Sequence, residues 1–225
     1  WTGGGFTNIG GLNGPVHALA QWDPDGQQDQ ATGSQPGDTV NHLIIGGSFT
    51  LPAPGLVFGS GQAAAFLIAS SPAGFPAPPS PGVSGGNAVV NAISVYTGGP
   101  APTGNPAPTV GSYLIIGGNF TSAFGTASNN ISRLRWERTS GNPTVTLLVP
   151  SAMGAGTNGT VNALAELRYR RPGQTTDTVE MVAGGSFTNP GANIARWNGT
   201  AWQTMGAGLA GNVTPGPVHA LHVFN

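Results

Sequence analysis

The chain of 225 residues contains no cysteine and no lysine, and charged side chains make up only 7% of it. Without cysteine there is no disulfide framework and no thiolate metal site. All seven basic residues are arginines and the net charge is -1. A protein that tracks a phosphate backbone needs a basic stripe, and none is present, so nucleic acid is excluded as a partner. The polybasic segment that an anionic membrane surface attracts is missing too. No apolar run approaches the ~18 residues of a bilayer span, so no membrane insertion by this chain is expected. No window holds a helical period for three turns; Ala63 to Ala69 comes closest, but its place in the repeat described below reads as strand.

Glycine and proline are abundant instead, with 38 and 20 residues, about a quarter of the chain. That share borders on low-complexity composition. Yet 38% of the residues are hydrophobic, enough for a core. The glycines also recur in register with apolar segments. Val16-His17-Ala18-Leu19 returns as Val90-Asn91-Ala92-Ile93, Val161-Asn162-Ala163-Leu164 and Val218-His219-Ala220-Leu221. Leu43-Ile44-Ile45-Gly46-Gly47-Ser48-Phe49-Thr50 returns from Leu114 to Thr121 and from Met181 to Thr188. Asn130-Ile131-Ser132-Arg133 matches Asn193-Ile194-Ala195-Arg196, and Met153-Gly154-Ala155-Gly156 matches Met205-Gly206-Ala207-Gly208.

Repetition at this spacing decides the architecture. Each segment is short, β-branched or aromatic, and bounded by Gly, Pro or Asn, which is the pattern of strands. The expected fold is all-β: a β-propeller of four-stranded antiparallel blades, with a linear stack of β units as the alternative. The glycine pair at the end of an inner strand predicts a bulge or a close approach by the neighbouring sheet. Phe49, Phe120 and Phe187, two residues later, are expected to fill the gap between sheets.

The succession Gly-Gly-x-Phe-Thr, Asn-Ile-Ala-Arg-Trp, Trp-x-x-Met-Gly-x-Gly and Gly-x-Val-x-Ala-Leu resembles the kelch-like propeller repeats of large secreted bacterial surface proteins. It is also similar to the ectodomain repeats of fungal cortical-marker proteins. The resemblance implies a propeller fold and an extracellular setting, and carries no catalytic motif.

Three full blades are expected at about 16–81, 82–156 and 157–208. Parts of another one or two come from residues 1–10, as last strands, and 209–225, as a first strand. The chain opens on Trp1, and no second strand is left to join its two ends in one blade. It is therefore expected to be an excerpt of a larger propeller. Pro-rich insertions at 51–61, 71–86 and 98–111 read as surface loops, where binding tends to reside.

The second position of the first strand is polar in every repeat: His17, Asn91, Asn162 and His219. Strand alternation places these four on one face. They either bond the backbone of a neighbouring blade or face a central channel and touch a ligand. Asp23, Asp25 and Asp29 surround Gly26, and alternate carboxylates with a glycine suit the oxygen ligands of calcium. A solvated Asp-Gly hairpin turn is the competing reading. No cofactor is otherwise expected.

Arg133 and Arg196 hold one repeat position and read as structural. Arg168, Arg170 and Arg171 beside Tyr169 read as a solvated strand end or a patch for an acidic partner. Trp1, Trp136, Trp197 and Trp202 recur near outer strands, where packing accounts for them. Glu166 with Glu180 is a candidate pair for glycoside hydrolysis, which needs two carboxylates about 5–9 Å apart. No nucleophile elbow or phosphate loop accompanies them.

These features point to a non-catalytic extracellular module, at the cell surface or in the periplasm. It would bind a protein or glycan partner, or scaffold other subunits of an assembly. The competing readings are a propeller enzyme or cofactor-bearing propeller, and a structural subunit of a surface layer or filament.

Overall fold

The structure, a computed structural model, describes residues 14–22, 42–49, 65–68, 82–85, 87–99, 112–138, 146–209 and 216–224. Among them there is no helix, and every paired strand is antiparallel to its neighbour. It follows that no helix is long and apolar enough to cross a membrane.

The first sheet contains β1 (Val16–Trp22), β2 (His42–Gly47) and β3 (Ala65–Ile68), in that order. The second contains β5 (Val89–Tyr96), β6 (Tyr113–Asn119), β9 (Ile131–Arg138) and β10 (Thr146–Ala152). The third contains β11 (Thr160–Tyr169), β12 (Thr178–Ser186), β13 (Ile194–Trp197) and β14 (Trp202–Thr204). Three two-residue strands, β4 (Val83–Ser84), β7 (Ser122–Ala123) and β8 (Thr126–Ala127), make a small additional sheet. The run Ala63 to Ala69, read as strand, is described over 65–68 and is strand there: β3 pairs with β2 from Ala65↔Gly46 to Ile68↔Leu43.

The glycine pair produces both of the effects expected of it. Val16 pairs with Gly47 and Ala18 with Gly46; Val90 and Ala92 pair likewise with Gly118 and Gly117, and Val161 and Ala163 with Gly185 and Gly184. His17, Asn91 and Asn162 are left without a cross-strand partner, each at a β-bulge. An extra residue interrupts alternation. It therefore brings the motif's Val and its Leu or Ile, three positions apart, onto one face.

That face meets the first glycine of the preceding sheet. A Cβ on Gly46 would lie 2.5 Å from Val90 Cγ1 and 2.9 Å from Ile93 Cδ1. On Gly117 it would lie 2.6 Å from Val161 Cγ1 and 3.3 Å from Leu164 Cδ1. On Gly184 it would collide with Val218 and touch Leu221 at 3.4 Å. Only a residue without a side chain leaves room for this contact, so the two motifs of the repeat are complementary surfaces.

Two cores result, one on each side of the second sheet. Trp22, Ile44, Val90, Leu114, Ile116, Phe120 and Leu134 fill the space toward the first sheet. Tyr96, Tyr113, Ile115, Val161, Met181, Phe187 and Trp197 fill the space toward the third. Val90 and Val161 are fully buried; burying a side chain of this size contributes roughly 1.5–3 kcal/mol. Phe49, Phe120 and Phe187 are all buried. The far end of each first strand reaches into the next sheet by the same route. Trp22 Nε1 donates to Ser112 Oγ at 2.9 Å, and the Tyr96 hydroxyl donates to Val179 O at 3.4 Å.

The three main sheets thus stack in chain order, and among the described residues none closes on itself. Among the described residues, 216–224 pair with no strand, although the Val218 N–H donates to Gly185 O at 3.0 Å. One expectation needs correction. The insertion at 71–86 is not entirely surface loop: Val83 is fully buried in the first core and pairs with Ala123. Its apolar side chain is covered because β4 joins the small sheet behind the Phe120 turn. Residues 1–10 and the expected fourth strand of the first unit lie outside the described residues.

Candidate functional site

The bulge residues are the first candidates. The Asn91 amide donates to Val161 O at 3.3 Å and to Asn162 Oδ1 at 3.4 Å. The Asn162 amide donates to Val218 O at 3.1 Å. Each asparagine thus bonds the backbone of the next repeat, and the two side chains meet. His17 is exposed and bonds Ser48 Oγ at 3.0 Å, within its own sheet. His219 is exposed. The structure therefore joins Asn91 to Asn162 and leaves His17 apart from them. Asp23, Asp25 and Asp29 lie outside the described residues. Among the described residues, no three His, Cys, Asp or Glu side chains converge as a metal site would need.

Glu166 and Glu180 sit on opposite faces of the third sheet, because Glu166 pairs with Met181, the neighbour of Glu180. Glu166 faces the second sheet, where both carboxylate oxygens accept from Thr97 Oγ1 at 3.0 Å and the Thr97 N–H donates at 2.5 Å. Arg168 donates to Thr97 Oγ1 at 2.6 Å, and Arg170 pairs with Asp177 at 2.8 Å. Arg171 lies over the Tyr169 ring, 5.7 Å from its centroid. Apart from Arg171, the small basic patch is matched by carboxylates of its own hairpin.

Glu180 is buried and pairs with Arg196 at 3.2 Å. Arg133, at the equivalent position of the second sheet, lies over the Tyr113 ring at 4.7 Å and donates to Ser151 Oγ at 3.2 Å. Among the described residues, two buried donors have no acceptor, Arg196 Nε and Trp197 Nε1. Trp197 packs against Trp202 with ring centroids 5.6 Å apart, and Trp202 Nε1 donates to Met153 O at 2.9 Å.

An open pocket of about 320 Å³ lies where loops of the second and third sheets meet. Asn129, Asn130, Thr157, Asn158 and Asn189 line it, with Ala155 and Gly156. Asn130 adopts the left-handed backbone, φ 64°, as does its repeat partner Asn193 at 63°. Asparagine tolerates that region better than most residues. The Asn130 amide donates to Thr157 O at 2.8 Å, and its Oδ1 accepts from the Phe120 N–H at 3.2 Å. Asn158 Oδ1 accepts from the N–H groups of Thr188 and Asn189, both at 2.9 Å. Gly156, φ 71°, closes the turn against Asn129 O, where a Cβ would collide.

The lining carries no ionisable side chain, and its polar groups largely bond one another: Asn129 donates to Ala155 O at 3.1 Å, Thr157 Oγ1 to Gly159 O at 2.7 Å and Asn158 Nδ2 to Thr188 Oγ1 at 2.8 Å. Sequence reasoning flagged the repeated Asn-Ile-x-Arg and Met-Gly-Ala-Gly segments as markers of the repeat. It did not place them in one pocket.

Fold and pocket together define a repeat protein of stacked antiparallel sheets with a polar cleft between two of them. No family model, curated protein or solved structure matches the chain.

Proposed function

We propose that the chain is part of an extracellular β-propeller related to the kelch-like repeats it resembles, and that it binds a neutral glycan between its second and third blades. Support for the propeller reading comes from the recurrence of one inter-sheet contact at Gly46, Gly117 and Gly184. A contact that repeats in chain order is what blades arranged around an axis require. The observation that carries the binding reading is the uncharged Asn- and Thr-lined pocket. The low charge and the absence of cysteine and lysine accord with a secreted, cell-surface or periplasmic setting and with no nucleic acid or membrane partner.

Titration calorimetry against a panel of neutral oligosaccharides tests this. At least one should bind, and Asn189→Ala, which alters an exposed lining residue, should weaken it by about tenfold, the loss of one or two hydrogen bonds. Failure of every neutral oligosaccharide to bind would overturn the glycan reading. A second reading, a subunit of a larger assembly, is favoured by Val16 and Leu19, apolar side chains 38% and 62% exposed on β1.

A further inference from the structure

Six residues occur twice without change: Gly14-Pro15-Val16-His17-Ala18-Leu19 and Gly216-Pro217-Val218-His219-Ala220-Leu221. The second copy is seated. Val218 and Leu221 lie on Gly184 of β12, the Val218 N–H donates to Gly185 O at 3.0 Å, and Asn162 donates to Val218 O at 3.1 Å. The first copy is not seated. Val16 and Leu19 are exposed, whereas Val90 and Val161 at the same repeat position are fully buried.

We propose that the 14–19 edge is a docking surface for a second copy of this chain, entering that copy's Gly184 face in place of its own residues 216–221. The fit is already displayed, since the same hexapeptide occupies that face. Gly46 and Gly117 are not available, because β5 and β11 cover them as members of complete sheets. Among the described residues, 216–224 pair with no strand, so Gly184 is the face whose cover can be exchanged.

Two effects compete. The resident segment has the advantage of high effective concentration. The incoming β1 arrives already paired with β2 and β3, so it brings a preformed sheet to the face. Exchange therefore grows with protein concentration. Donor edge and acceptor face are different patches, so the association is head-to-tail, and it extends beyond a dimer unless a ring closes. The proposal is independent of the glycan reading, which a monomer could satisfy equally well.

Sedimentation velocity of the full chain at rising concentration reads this directly. Dimers and larger species should appear. Leu19→Asp, at an exposed position, should raise the concentration needed by about tenfold or more, the loss of one buried leucine contact. Leu221→Asp should lower it by unseating the resident segment. An excess of a synthetic peptide of residues 216–224 should dissociate the oligomers, which keeps the test decisive if Leu221→Asp fails to fold. A chain that stays monomeric at all concentrations, association unchanged by Leu19→Asp, or oligomers indifferent to the peptide would each overturn the proposal.

Discussion

Gly117 and Gly184 sit at the same place in consecutive sheets, and what covers them differs. Gly117 lies under Val161 and Leu164 of β11, a ten-residue strand of a four-stranded sheet. Gly184 lies under Val218 and Leu221 of a segment that, among the described residues, pairs with no strand. The side chains four residues before each glycine differ in the same sense. Tyr113 is buried under Arg133, while Glu180 forms an ion pair with Arg196, which keeps a third of its side chain exposed. Under a complete sheet the arginine rests on an aromatic face, which costs little desolvation. In the third sheet it meets the buried Glu180 carboxylate, and the attraction of the pair offsets part of the cost of burying that charge. Repeat position sets where a side chain sits, and its partner on the adjoining strand differs between the two sheets.

The largest expected effects test whether the two inter-sheet cores are equivalent. Phe120→Ala and Phe187→Ala should each cost roughly 3–5 kcal/mol in chemical denaturation, since both rings are buried in a core. A loss below about 1 kcal/mol at either position would show that its core is not packed as described. The glycines separate the two faces more sharply. Gly117→Ala should cost about 1–3 kcal/mol, because Val161 is held by its sheet and cannot retreat. Gly184→Ala should cost less, about 1 kcal/mol or under, because the 216–224 segment can lift away. Equal losses would mean that both faces are covered with equal rigidity.

The smallest effect belongs to Tyr96, buried between the second and third sheets. Burial holds its phenol above the ordinary pKa, and the Glu166 charge adds to this while Arg133 opposes it. The folded chain therefore keeps the proton beyond the pH at which the unfolded chain releases it. This contribution is fully present below about pH 10 and is lost as pH rises through the folded value. Denaturation midpoints followed into the alkaline range should fall less steeply for Tyr96→Phe than for the original chain. The third sheet has Leu167 at this position, so it adds no such dependence. Identical alkaline profiles for the two chains would remove the effect.

The strands were legible residue by residue. Three of the four Val-x-Ala-Leu segments and all three Leu-Ile-Ile-Gly-Gly-type segments lie in strands of the main sheets, and the described part of the run Ala63 to Ala69 is β3; Val218 to Leu221, expected as a first strand, is not assigned as one. The contact partner of the glycine pair was legible only as two options, a bulge or a close neighbour, and both occur. What the bulge does to the side-chain faces was not legible. Strict alternation would send Val90 and Ile93 to opposite faces, whereas the unpaired Asn91 between them brings both onto Gly46. The pairing of Asn91 with Asn162 and of Arg196 with Glu180 spans different strands, and no local pattern announces it.

The amino-acid sequence by itself determined the antiparallel strands, their order within each sheet and the apolar motifs that recur between them. These follow from local propensities and from repeat spacing, which act along the chain. Tertiary structure decided which residues share a pocket and which apolar pairs are covered. Asn129, Thr157 and Asn189 are brought together because two sheets stack, and the hexapeptide ending at Leu19 differs from its copy ending at Leu221 only in what lies against it. Identical residues with identical propensities end in different environments because burial depends on the neighbour across the gap, and the neighbour is not encoded in the hexapeptide.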